Sequence, residues 1–195
     1  MLPFSNRMIR NINTKSLVLI PLAIGINLMC GTLCQVLKLP LFLDSIGTIL
    51  IACLCGPLIA SLCGLSTNIF LGIVSNPVNI PYGLVSVLIG ITSGILNKYG
   101  FFSSKYKAVI SWIIISIINT IGASLVTMFV FGGSSGLNTG SIFTAVLIAT
   151  TKDIFLSVLS YSMLENLIDK FIVVFIVYSL LRKIPNNFKN QFATL

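Results

Sequence analysis

Apolar residues run along this chain in long blocks, and polar positions fall between the blocks rather than alternating within them. Blocks of that kind predict helices, and the longer ones approach the ~20 residues that cross a bilayer. Six spans follow from the pattern, at 17–37, 43–55, 58–74, 82–97, 108–131 and 166–181. The second and third are short and meet at Cys55-Gly56-Pro57, which predicts a tight turn. Pro77 and Pro81 mark the start of the fourth, and the Gly- and Ser-rich stretch from Gly132 to Gly140 opens a long connection to the sixth. Residues 141–164 break the regularity. SIFTAVLIAT is apolar enough to enter a membrane, yet Lys152 and Asp153 interrupt the segment. No internal repeat of the inverted-transporter type is visible.

Composition turns these helices into membrane helices. The 195 residues are 56% hydrophobic and only 8% charged, with a mean hydropathy of +1.05. That is too little charge to cover a soluble domain, so the chain reads as one polytopic helical domain. The net charge of +8 does not make a nucleic-acid surface, because Lys and Arg sit in short clusters between apolar runs, as cytoplasmic loops do. Arg7, Arg10 and Lys15 precede a run long enough for a full crossing with no small-residue cleavage site, which predicts a retained first helix rather than a secretion signal.

Charge also arbitrates topology. With six spans, one side collects Arg7, Arg10, Lys15, Lys98, Lys105, Lys107, Arg182, Lys183 and Lys189. The other side holds Lys38, Lys152 and Lys170 together with Asp44, Asp153, Glu165 and Asp169. A seventh crossing at 141–164 would put the basic C-terminus outside, against the positive-inside bias. The expected fold is therefore all-α integral membrane: six transmembrane helices, an extra interfacial or re-entrant helical segment between helices 5 and 6, and both termini cytoplasmic. In that extra segment Thr150, Asp153, Ser157 and Ser160 fall at helical spacing and predict one polar stripe.

The chemistry available is that of binding. Five cysteines lie within apolar stretches and the chain has no His, so the cysteines read as packing residues, and no metal or other cofactor is expected. A phosphate-binding glycine loop, paired midspan carboxylates and a nucleophile–base pair are all missing from the sequence, which argues against an ATPase, a proton antiporter and an enzyme. Asn68, with Gly64 and Gly72 one turn away, suits either a helix-packing hydrogen bond or a ligand contact. Gly83, Ser86, Gly90, Ser93 and Asn97 share a face that predicts close helix packing, and Ser116, Thr120, Ser124 and Thr127 form a hydroxyl stripe. Three separated segments then bring polar groups to the outer side: Asp44 in FLDSIG, Asn76, Asn79 and Tyr82 in SNPVNIPYG, and Glu165, Asn166, Asp169 and Lys170 in ENLIDK. Such a set suits a small polar molecule with a flat ring. Asp44 alone is equally explained as a helix cap.

The order of these parts, and the stretches LPLFLDSIGTILIACLCGPLIASLCGLSTNIF at 39–70 and ENLIDKFIVVFIVYSLLRKIP at 165–185, resemble the substrate-binding S components of energy-coupling factor (ECF) transporters, with the riboflavin-transporter-like branch nearest. The resemblance implies a non-enzymatic subunit of an ABC-type importer in the cell membrane, with a pocket near the outer surface that binds a vitamin-like or nucleobase-like micronutrient. It implies as partners a transmembrane coupling subunit and two cytoplasmic ATPases, besides membrane lipid, and no nucleic acid. The substrate-binding residues expected are Asp44, Asn79, Tyr82, Asn166 and Lys170, with Asn68 at the pocket floor. The family docks its first helix through an Ala-x-x-x-Ala pattern; its counterpart here is Ala23-Ile-Gly-Ile-Asn27, so Ala23, Gly25 and Asn27 are the expected coupling face. A membrane scaffold of envelope assembly, which needs no pocket, is the competing reading.

Overall fold

The structure, a computed structural model, describes residues 14–137 and 140–185. Arg7, Arg10 and Lys189, which entered the charge argument above, lie outside the described residues. Among the described residues seven α-helices follow one another: α1 (Thr14–Val36), α2 (Ile46–Cys55), α3 (Pro57–Val74), α4 (Gly83–Lys98), α5 (Lys105–Phe131), α6 (Gly140–Thr151) and α7 (Ile154–Lys183). A 3-10 segment, Pro77–Tyr82, leads directly into α4. There are no strands among the described residues. Within the described residues four helical stretches are long and apolar enough to cross a membrane: Val18–Val36, Pro57–Val74, Pro77–Lys98 and Lys105–Phe131. α2 and α6 are apolar but shorter.

Local chemistry sets the boundaries. Gly56 takes φ 87°, and Pro57 at the first turn of α3 loses no hydrogen bond because its missing N–H would be unpaired there. Ser104 caps α5 by accepting from Lys107 N, and Gly132 ends it at φ 64° in the left-handed region. The start of α2 departs from the sequence reading: its N-cap position is Ser45, not Asp44, and no side-chain bond caps it.

Small residues bring the helices together, as the glycine spacing predicts. A Cβ on Gly64 would stand 2.8 Å from Ser86 O, one on Gly90 2.7 Å from Ser61 N, and one on Gly94 2.6 Å from Pro57 Cα. α3 and α4 therefore pack backbone to backbone. Asn97 ties α4 to α2 as well, by donating to Cys53 O at 3.0 Å. Gly47 is pressed against the backbone of Ala23, which seats α2 on α1. Outward faces are apolar: Val18, Leu22, Met29, Leu33 and Val36 on α1, and Ile113, Ile117, Ile121 and Leu125 on α5. Such faces suit lipid.

The region after α5 differs most from the expected outline. α7 starts at Ile154 rather than at Asn166, and its 30 residues make it about 45 Å long. Lys152 takes φ 57° and turns the chain. Asp153 then caps α7 by accepting from Leu156 N at 3.0 Å. Thr150, Asp153, Ser157 and Ser160 consequently do not form one stripe, because the helix breaks between the first and the rest. Ser157 instead bonds Asp153 O at 2.6 Å and the Thr151 hydroxyl at 2.7 Å, knotting the corner. α6 and the first half of α7 form a helical hairpin. Gly133 lies against Ile148 and Ile154, whereas Gly140 lies against Tyr161 and Glu165. The chain thus leaves the top of α5, comes back about 10 Å along α7, and climbs again as α6.

Candidate substrate-binding site

Two polar constellations lie between α7 and its neighbours. The first is an ion pair about halfway along α7, ~24 Å from its N-cap. Lys170 Nζ stands 2.6 Å from Asp169 Oδ2 and donates to Ser45 Oγ at 2.9 Å. Asp169 Oδ1 accepts the backbone N–H groups of Phe42 at 3.0 Å and Leu43 at 2.8 Å. Both charged side chains are essentially excluded from solvent, at 1% and 0% exposure. Asp44 is half-buried beside them, its Cβ near Gly31 on α1, and its charge and that of Glu165 both act on Lys170. Lys170 and Asp169 therefore do not anchor a helix end at an interface. They fasten the FLDSIG segment to the middle of the last helix, where a charge pair is tolerable because both Asp169 oxygens accept and the ammonium has two acceptors.

The second constellation is a narrow cleft with about 30 Å³ of free space between the end of α5, the 3-10 segment, the hairpin and the FLDSIG segment. Its aromatic walls are Phe42, Tyr82 and Tyr161. Each tyrosine is braced from behind. Tyr82 stacks on Phe131 with centroids 5.8 Å apart, and Tyr161 on Phe143 at 6.0 Å. Tyr82 OH also shares a 2.7 Å hydrogen bond with Thr127. Hydroxyls of Ser134, Ser135, Ser141, Thr144 and Ser162 line the remainder with the side chains of Glu165 and Asn166. Free space is thin, about enough for two or three waters as the side chains stand. A ligand would have to move the walls apart to enter.

The expected site residues separate accordingly. Tyr82 and Asn166 line the cleft. Asn166 is held there by Asn119, which donates to its Oδ1. Asp44 and Lys170 belong to the adjacent ion-pair cluster rather than to the lining. Asn68 is buried in the α3–α4 contact, where it donates to Ser86 Oγ at 2.6 Å and to Gly64 O at 3.2 Å, so the packing alternative accounts for it fully. Asn79 accepts from Gln35 at 3.2 Å and donates to Asn76 O at 2.8 Å, tying the 3-10 segment to α1. On the coupling side, Ala23 and Asn27 are buried. Asn27 accepts from Gly47 N at 2.7 Å and donates to Thr48 and Thr67 at 2.9 and 3.1 Å. These two side chains are committed within the chain. Gly25 alone opens outward, with nothing within 4 Å of where a Cβ would stand.

Phe42, Tyr161, Thr144 and the serines at 134, 135, 141 and 162 were not expected at the site. Phe42 is hidden in an apolar phrase, and Tyr161 in a segment whose place was open. The hydroxyl stripe on α5 was a usable signal. Ser116 and Thr120 reach carbonyls of Asn166 and Ser162 on α7, and Thr127 reaches Tyr82, so the stripe marks the helix facing the cleft.

Residues 15–181 match the family of ECF transporter substrate-specific components. The chain belongs to that family, as a multi-pass membrane protein with a substrate-binding role in ECF transport. Proteins of this kind are specificity subunits rather than enzymes and work with a membrane coupling subunit and ATPases. Comparison with curated proteins and with solved structures returned no match.

Proposed function

We propose that the chain captures a vitamin-like or nucleobase-like micronutrient from outside the cell in the cleft beside Tyr82, and passes it inward with a coupling subunit and two cytoplasmic ATPases. The observation that carries this reading is the cleft: aromatic walls and hydroxyls meet in a chain otherwise packed and apolar. Orientation rests on charge. Lys98, Lys105, Lys107, Arg182 and Lys183 are exposed at the end of the bundle that holds the α4–α5 connection and the end of α7. The positive-inside bias puts that end in the cytoplasm and the cleft toward the outside. α1, α2, α3, the 3-10 segment with α4, α5 and α7 then make six crossings, with α6 re-entrant and both termini cytoplasmic. α2 is about 15 Å long, so the Ser45–Lys170 contact at its start stands near the middle of a ~30 Å hydrocarbon layer. The likeness of 39–70 and 165–185 to the riboflavin-transporter-like branch fits a heteroaromatic ligand.

The coupling face follows from what α1 leaves uncovered. Val18, Leu22, Gly25, Met29, Leu33 and Val36 make one outward stripe at helical spacing, smooth where Gly25 lies. We assign that stripe, rather than Ala23 and Asn27, to the coupling subunit.

Native mass spectrometry of the full chain, purified gently from cells in rich medium, tests the reading. A stoichiometric small molecule lost from Tyr82→Ala, while that variant still folds, supports it. A chain that carries none, and that no vitamin or nucleobase stabilises, refutes it.

A further inference from the structure

Asn166 has a side chain with two opposite ends, and only one of them is in use. A primary amide carries an oxygen that accepts and a nitrogen that donates two protons. The oxygen, Oδ1, accepts from Asn119 Nδ2 on α5. That is the side chain's only hydrogen bond among the described residues, so the two Nδ2 protons have no acceptor. Asn166 is 2% exposed, which makes an idle donor costly in a bundle without water.

The donor is nevertheless not sealed in. Among the described residues the polar side-chain atoms both unpartnered and closed off from free space are Ser93 Oγ, Ser124 Oγ and Tyr178 OH. Asn166 Nδ2 is not one of these, and the free space that Asn166 borders is the cleft. Asn119 is buried as well but does not line the cleft, so it holds Asn166 from behind. Turning the Asn166 amide over would set one NH2 against another, so the contact fixes which end is left for a ligand. The lining serines and Thr144 impose no such sign, because a hydroxyl rotates to donate or accept. Glu165, also in the lining, already has an interaction of its own.

Resting on the substrate-cleft reading above, we infer that Asn166 offers its NH2 to the acceptor edge of a planar ring, a ring carbonyl above all, and that Asn119 is the positioning residue that fixes this sign. Phe42, Tyr82 and Tyr161 supply the faces against which such a ring lies. An edge that leads with amino groups meets the same NH2 donor to donor and is disfavoured.

The test uses the full chain in mild detergent. Affinity is read from the melting temperature against concentration for ring compounds alike in shape and opposite in edge. Uracil is set against 2,4-diaminopyrimidine, and quinazoline-2,4-dione against 2,4-diaminoquinazoline, at a pH where both members are uncharged. Native mass spectrometry identifies in parallel the molecule retained from cells. The diones are expected to bind about ten-fold more tightly than the diamines, and the retained molecule to carry a ring carbonyl or ring nitrogen. Asn119→Leu, at a position outside the lining, is expected to cut that preference to about three-fold or less. A part in packing alone would instead lower the melting temperature of the free chain and weaken both members equally. Diamines bound as tightly as diones, or a preference unchanged in Asn119→Leu, overturn the inference. If that variant does not fold, the preference of the unaltered chain decides alone. Where a molecule is retained and neither pair binds, weaker retention in both Asn166→Leu and Asn119→Leu upholds the inference, and undiminished retention in either overturns it. A molecule that Tyr82→Ala releases and Asn166→Leu keeps leaves the substrate cleft standing and removes only the edge. A chain that holds nothing, and that no compound stabilises, removes both.

Discussion

Replacing the two halves of the buried ion pair separately should cost unequal amounts. Asp169→Asn keeps an oxygen able to accept from Phe42 and Leu43, while Lys170 keeps Ser45 and remains in the field of Asp44 and Glu165. Breaking a buried pair costs about 3–5 kcal/mol in soluble proteins, and the remaining partners here bring the expected loss to roughly 2 kcal/mol. Lys170→Met removes the ammonium that Asp169 pairs with and leaves that buried carboxylate without its cation, and the expected loss is roughly 4 kcal/mol. The double variant has no unbalanced pair at Asp169 and retains the backbone acceptor, so it should lose about 3 kcal/mol, well under the sum of the two. SDS titration from mild detergent micelles measures this. The protein has its own reporter in its single tryptophan, Trp112, which donates to Leu167 O at 2.8 Å, two residues from Asp169. Additive losses, or Asp169→Asn at least as damaging as Lys170→Met, would show that the pair and its acidic surroundings are not energetically coupled.

Three further outcomes are expected. Asn27→Ala, which removes three buried hydrogen bonds between α1, α2 and α3, should lower stability by about 2 kcal/mol at ~0.6 kcal/mol or somewhat more per bond, with ligand affinity unchanged in a titration at a temperature where the variant is folded. Gly140→Ala forces a methyl against Tyr161 and Glu165; an overpacking cost of about 1–3 kcal/mol should appear in the melting temperature together with weaker ligand retention. Ser124→Ala should be neutral or slightly stabilising in the same melt, because the Ser124 hydroxyl is buried with no hydrogen-bond partner.

The helices were legible where their cause is local. Block length and hydropathy located α1, α3, α4 and α5, and Gly56-Pro57 announced the turn between α2 and α3. Gly64, Gly90 and Ser93 were read as packing residues, and Gly64 and Gly90 lie on a neighbouring backbone. The hairpin was not legible. SIFTAVLIAT is equally apolar as a crossing, a surface helix or a half-helix, and what decides is the left-handed turn at Lys152 and the cap from Asp153. Site residues divided for a similar reason. A polar residue inside an apolar run announces that it needs a partner, not which one. Asn68, Asn79 and Asn27 found theirs in other helices, Lys170 found Asp169, and of the expected binding residues Tyr82 and Asn166 line the cleft. Phe42 carries no polar signal, and its position follows from the backbone bonds to Asp169, 127 residues away in sequence.

Phe42 has two jobs in one residue. Its ring is a wall of the cleft, and its N–H is one of two that Asp169 holds. On the proposed reading, a swing of this segment's backbone that frees a bound molecule strips a buried carboxylate of both backbone donors. Departure is thereby tied to an electrostatic penalty paid far from the ligand itself. On that reading the expected outcome is long residence on the isolated subunit, with release driven by an outside source of work.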